Sequence, residues 1–148
     1  MSEKDTQQLE AFLKNAKVED LETYINMEKG ESGSLADFLN DYIATHNLVL
    51  ADVIKASLMS RDYAYSIFNG NRKNPTRDRV IAICLACHMD YTQTQRALKL
   101  CNAGVLYAKN NRDAAITICI NREIFDVIKV NEFLYSHDMD TLKTSKDA

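Results

Sequence analysis

Five side chains capable of polar recognition, Arg61, Asp62, Tyr65, Ser66 and Asn69, are spaced so that one short helix would carry them on a single side. Ser60 is a good N-cap, because its hydroxyl can accept a bond from an orphan backbone N–H at a helix start. A helix beginning there and ending at Asn69-Gly70 places Ala64, Ile67 and Phe68 at the i, i+3, i+4 positions that bury one face, so the polar set is left outward. Such a face suits base edges in a major groove: the Arg61 fork can bond guanine bidentately and Asp62 can accept from the amino group of cytosine, with Ser60, Tyr65 and Ser66 beside them. The loop Asn69-Gly-Asn-Arg-Lys-Asn-Pro75 then brings Asn71, Arg72 and Lys73 alongside. Together with Asn69 and Arg77, these are the residues expected to fix register on a phosphate backbone.

A second pattern invites different chemistry. Cys84-Leu-Ala-Cys87-His88 fits the spacing of a covalent haem attachment site and of half a zinc site. Haem attachment of that type requires export, and the N-terminus MSEKDTQQLE has no secretory character. Zinc requires a second pair of ligands, but Cys101, Cys119, His46 and His137 lack the usual spacing. Inside an apolar helical stretch, Cys84 and Cys87 at i, i+3 read as small core residues. No glycine-rich phosphate loop and no nucleophile turn occurs. The expectation is a protein that is not an enzyme, with no cofactor, no metal and structural histidines.

The elements that must position the polar face are helical. One Pro and four Gly in 148 residues, with abundant Leu, Ala, Ile, Lys and Asp, favour helix throughout. Residues 5–15 set Leu9, Phe12 and Leu13 on one face, and 18–27 repeat the pattern with Val18, Leu21, Tyr24 and Ile25. These form an acidic helical extension, 1–33, closed by the connector 28–33 with two of the four glycines. A domain over 34–103 follows. Ser34 caps a helix with the stripe Leu35, Phe38, Leu39, Tyr42 and Ile43, and Leu50–Ser57 makes a second helix. The polar-faced helix is the third. A fourth, started by Asn74 or Thr76, is apolar nearly all round (Val80, Ile81, Cys84, Leu85, Cys87) and should lie centrally. Arg77 and Arg79 in its first turn oppose the helix dipole, so an acid (Asp78 or Asp52 for Arg77) or a phosphate must offset them. Asp90 caps a fifth helix ending at Cys101. The remainder, 104–142, is expected to pack on the domain or mediate dimerisation. It holds a segment over 112–121 capped by Asn111, strand-like by propensity but read as a buried helix. A last helix over 123–136 follows, with Ile124, Val127, Ile128, Asn131 and Leu134 along one face. Residues 143–148 read as a frayed tail.

Charge narrows the partners. The chain is net −3, yet residues 49–79 hold six Lys/Arg against three Asp/Glu, while 1–33 hold four against eight and 34–48 none against two. A single positive segment in an acidic chain is the footprint of a selective nucleic-acid binder, not of one that coats nucleic acid indiscriminately. No apolar run approaches the roughly 20 residues that span a membrane. A cytoplasmic protein with reduced cysteines is the expectation.

The order helix, turn, Ser-Arg, five residues, Ile, then a Gly, an Arg and a Pro is present as Ser60, Arg61, Ile67, Gly70, Arg72 and Pro75. It resembles the helix-turn-helix of the phage-repressor-like (XRE) transcriptional regulators. The longer strings YSIFNGNRKNPTRDRVIAICLA, LYAKNNRDAAITICI and VNEFLYSHDMDTL look like a Gram-positive subgroup of small regulators within that family, so the resemblance covers most of the chain from about Leu21. Ile54 stands where the family usually has a small residue, and Leu58 where it often has Gly in the turn. The resemblance implies an all-α, lambda repressor-like bundle with helical extensions. It also implies transcription regulation through double-stranded DNA, as a homodimer on half-sites about 34 Å apart. The alternative is a protein-interaction module that keeps the scaffold and binds a protein partner through Tyr63 and Tyr65 or through the acidic extension.

Overall fold

The computed structural model describes Glu10, Leu13, Lys14, Lys17, Val18 and residues 33–145. The chain divides into two compact units, Met1–Gly33 and Ser34–Ala148. In the first, Glu10, Leu13 and Lys14 are helical, Val18 is in a 3-10 turn and Lys17 and Gly33 are in neither, and the other residues of the two expected acidic helices and their connector lie outside the described residues. In the second, the described residues form seven α-helices and no strand: α1 (Leu35–Thr45), α2 (Leu50–Ala56), α3 (Arg61–Phe68), α4 (Arg77–Ala86), α5 (Tyr91–Leu100), α6 (Asn111–Asn121) and α7 (Val127–Ser136). The described chain is all-α.

Caps set most of the starts. Ser34, Ser60, Asp90, Asn110 and Asp126 each accept a first-turn backbone N–H through the side chain, and Asp90 completes a reciprocal capping box with Gln93. The cap of α6 is thus Asn110 and not Asn111, and the stretch over 112–121 is helix. Its β-branched residues were compatible with strand, but Ala115, Ile116, Cys119 and Ile120 recur at helical spacing and are buried. The last helix starts later than expected, at Val127, because Asp126 caps it. Ile124 therefore precedes the helix, whose buried face is Val127, Val130 and Leu134, while Ile124 and Ile128 are 37% and 56% exposed.

α4 is the hub. Every residue from Val80 to Leu85 is buried, and the helix packs on α2, α5 and α7. α1 packs on α3 and α5, α2 on α3, and α6 on α5 and α7. All seven helices therefore share one core, in which Leu39, Val80, Ile81, Leu98, Ile116 and Leu134 have no measurable exposure. Each such side chain contributes roughly 1.5–3 kcal/mol of transfer free energy. α3 is additionally tied to α1 by Asn40, whose Nδ2 donates to the last carbonyl of α3, that of Phe68, at 2.8 Å. The recognition-candidate helix is thus fixed at its C-terminal end as well as along its apolar face.

Residues 143–145, the described part of the expected tail, do not fray, nor do the two residues before them. Leu142 and Thr144 are buried, the Leu142 N–H donates to Asn131 Oδ1 (2.8 Å), and the Lys143 N–H donates to Asp78 Oδ2 (2.9 Å). The polar composition of the segment pointed to a loose tail, but its backbone finds acceptors on α4 and α7. Lys146–Ala148 lie outside the described residues.

Candidate functional site

The corner between α2 and α3 aims the polar face. Leu58 takes the left-handed conformation (φ 61°) that a side chain ordinarily disfavours by roughly 1 kcal/mol. Most helices here end on a backbone bond from the second residue past the cap to a carbonyl five residues back, as in Met89 N–H to Cys84 O at 3.0 Å. At α2 a buried hydroxyl is inserted: Ser57 Oγ donates to Ile54 O (2.6 Å) and accepts from the Met59 N–H (3.4 Å). Met59 and Ile54 are both buried beside it, so the corner is locked without glycine.

From that corner α3 projects with Ala64, Ile67 and Phe68 inward. Ser60 serves as the cap, with its Oγ accepting the Tyr63 N–H at 3.3 Å. Arg61, Asp62 and Tyr65 are exposed, and the Arg61 guanidinium lies 5.8 Å from the Tyr65 ring centroid. Among the described residues neither Arg61 nor Asp62 has an ion-pair partner. Ser66 is half-buried, with Oγ donating to Tyr63 O and accepting from Arg72 Nε (3.0 Å). The Arg72 N–H donates to Ser66 O at 2.8 Å, so the loop folds back on the helix. Asn69 Oδ1 accepts the Asn71 N–H at 2.9 Å, across the left-handed Gly70 (φ 84°), and Lys73 is exposed. Nine of the ten residues read from the sequence as DNA contacts therefore lie on α3, at its N-cap or on the loop that returns along it.

The tenth, Arg77, is turned elsewhere. Its guanidinium donates bidentately to Asp113 (2.9 and 2.7 Å) and also to Gly104 O (2.9 Å) and Val105 O (3.0 Å). The neutralising acid is neither Asp78 nor Asp52. Asp78 instead receives a bidentate pair from Arg112 (3.1 and 3.0 Å). Burial would raise the Asp113 carboxyl, but the bonds from Arg77 and from the Tyr107 N–H, with the charges of Arg77 and Arg112, outweigh it and hold the group below its ordinary value.

Two site residues escaped the sequence reading as partners. Tyr63 carries two guanidiniums, Arg72 at 4.1 Å and Arg79 at 4.2 Å from its ring centroid, while its hydroxyl accepts the Thr76 N–H at 3.4 Å. Nothing in their spacing joins Tyr63 to Arg79, since only the packing of α3 beside the start of α4 brings them together. The Arg77–Asp113 and Arg112–Asp78 pairs did leave a signal: Arg-Asp stands at residues 61–62, 77–78 and 112–113, each in the first turn of a helix.

The Cys-x-x-Cys-His segment belongs to the core. Cys84 and Cys87 are buried, and loss of solvation pushes the Cys84 thiol far up and that of Cys87 up to about 12, so both stay protonated. His88 lies in the left-handed position after α4 and stacks on Phe125 with ring centroids 4.6 Å apart. Among the described residues no group of three or more His, Cys, Asp or Glu could hold a metal ion. Nor is any described helix long and apolar enough to cross a membrane.

Compared with known proteins, the chain matches no family model, no curated protein and no solved structure.

Proposed function

We propose that this chain is a sequence-specific DNA-binding regulator of the lambda repressor-like type, in which α2 and α3 form a helix-turn-helix and α3 enters the major groove. The observation that carries this reading is the contrast among the three Arg-Asp helix starts. Those of α4 and α6 are consumed by each other, whereas Arg61 and Asp62 stand exposed without an ion-pair partner among the described residues. A charged fork held outward on a helix fixed at both ends is suited to bidentate readout of guanine, and Asp62 beside it to the amino group of cytosine. Tyr65, Ser60 and Ser66 flank that centre. Asn69, Asn71, Arg72 and Lys73 meet phosphates along the loop, and Arg77 leaves the contact set because all its acceptors are internal. A single α3 spans few base pairs, so a second copy would read the other half-site, about 34 Å away. The cytoplasm is the compartment such a regulator works in.

Selection of bound fragments from a random duplex library tests the reading. The expected result is one enriched inverted repeat whose affinity falls steeply with salt and exceeds that of scrambled duplex by about a thousandfold or more. Arg61→Ala should relax preference at one base pair, costing about 1–3 kcal/mol, while Lys73→Ala should weaken all sequences nearly equally. Absence of enrichment, with no effect of either substitution, would overturn DNA readout and leave this face to a protein partner.

A further inference from the structure

The chain's last described segment reaches the candidate interface through a continuous set of contacts. Leu142 is held to Asn131 of α7, and Lys143 to Asp78 of α4. Arg112 of α6 donates to Asp140 O (2.9 Å) and Thr141 O (3.2 Å). Arg79 then donates from Nε to Thr144 O (3.3 Å) and from Nη2 to Ser145 O (2.8 Å), while its third nitrogen reaches Thr76 Oγ1 (3.3 Å). The same guanidinium lies against Tyr63, which also carries Arg72.

Two cations on one ring repel each other. Hydrogen bonds hold both in place: Arg72 donates to Ser66 Oγ, and Arg79 to Thr76 Oγ1 and to the carbonyls of Thr144 and Ser145, so that two of the three acceptors of Arg79 come from the C-terminal segment. With Arg79 held from behind, Tyr63 is fixed, and Arg72 remains on the exposed side, bonded to Ser66 and directed to where the phosphate backbone would run.

We propose that Leu142–Ser145 is a positioning strap for the α3 face: its carbonyls hold Arg79 on Tyr63 and thereby set the Tyr63–Arg72 pair that meets the phosphate backbone. The strap rests on the DNA-binding reading for its purpose, but not for its mechanics. Docking of the C-terminal segment and order in the Ser66–Thr76 loop are one linked equilibrium. Arg79 and Asn131 are positioning residues and touch no DNA.

The full-length chain carries the test, in three variants. Asn131→Ala releases the strap at its end far from α3. Arg79→Gln removes the grip and the charge, and Arg79→Lys keeps the charge without the two-carbonyl fork. Backbone amide exchange at Arg72 and Thr76 is compared with exchange at Leu39 and Val53 in the same sample, which separates loop loosening from global destabilisation. All three variants should speed Arg72 and Thr76 at least about fivefold more than Leu39 and Val53. They should also weaken the enriched duplex about tenfold, with Arg79→Lys failing to restore it. Exchange at Arg72 and Thr76 that tracks the core amides overturns the strap even when DNA is bound, as does full restoration of affinity by Arg79→Lys. If the parent chain binds no duplex, the DNA reading falls, and the exchange ratio by itself decides for or against the strap.

Discussion

The starts of α3 and of the α4/α6 pair use the same two residues to opposite ends. At α4 and α6, Arg77-Asp78 and Arg112-Asp113 exchange partners crosswise, each through two hydrogen bonds, and both arginines collect further backbone carbonyls. At α3, Arg61-Asp62 has the same place in the first turn and no such partner among the described residues. Residue type does not separate these fates; the supply of acceptors does. The loop 101–110 brings carbonyls to Arg77, and Asp140 and Thr141 bring them to Arg112, in half-buried surroundings where an unmet guanidinium would be costly. Around Arg61 the surface is exposed, and leaving the charge in water costs little. A charged pair that the fold does not use internally is the one available to a partner.

The comparison is broken most severely by removing one member of the internal pair. Asp113→Ala leaves the half-buried Arg77 without its carboxylate and the Tyr107 N–H without its acceptor (2.9 Å), so a loss of about 3 kcal/mol in urea unfolding is expected. A loss under about 1 kcal/mol would show that the crossed pairs are surface ornaments no different from Arg61-Asp62. A pH titration sharpens the same contrast. The Asp113 carboxyl is held below its ordinary value of about 3.9, so its contribution is present at neutral pH and disappears as pH falls from roughly 4 through the lowered folded value. The parent should lose stability over that acid range more steeply than Asp113→Asn, in which the carboxylate is gone. Equal slopes would place the acid sensitivity elsewhere.

What the sequence disclosed follows the range of the interaction. Buried faces of α1, α3 and α4 and the caps Ser34, Ser60 and Asp90 were legible, because a helical period and a first-turn hydrogen bond involve residues three or four apart. Helix ends were harder to read. Asn47, Leu58, His88, Asn102, Glu123 and Asp138 all adopt left-handed conformations, where glycine is the expected signal. After five of these six the compensating feature is the next residue: Leu48, Met59, Met89, Ala103 and Met139 are buried or packed on the core, whereas Ile124, after Glu123, is exposed. An apolar residue two places past the C-cap was the signal to seek. Of the candidate site, the α3 face followed from local periodicity. The diversion of Arg77, the two cations on Tyr63 and the docking of Leu142–Ser145 join residues 9 to 66 positions apart in sequence, and helical period says nothing at that range.

The exposed pair offers the complementary test, with a smaller expected effect. Asp62→Ala removes an acid from the first turn of α3, where it interacts favourably with the helix dipole, so about 0.3–1 kcal/mol of stability should be lost. Arg61→Ala removes a cation from that same turn and should leave stability within about 0.5 kcal/mol of the parent. These two values, set against that of Asp113→Ala in one series of urea transitions, rank the three Arg-Asp starts by how far the fold depends on each. If Arg61→Ala proved as damaging as Asp113→Ala, its guanidinium would have an internal role, and the case for α3 as the outward-reading helix would lose its main support. If it is neutral in folding yet changes which duplex is enriched, then folding and recognition occupy separate copies of one dipeptide. The α3 helix could then exchange Arg61 and Asp62 for other residues, and so other sequences, without unfolding.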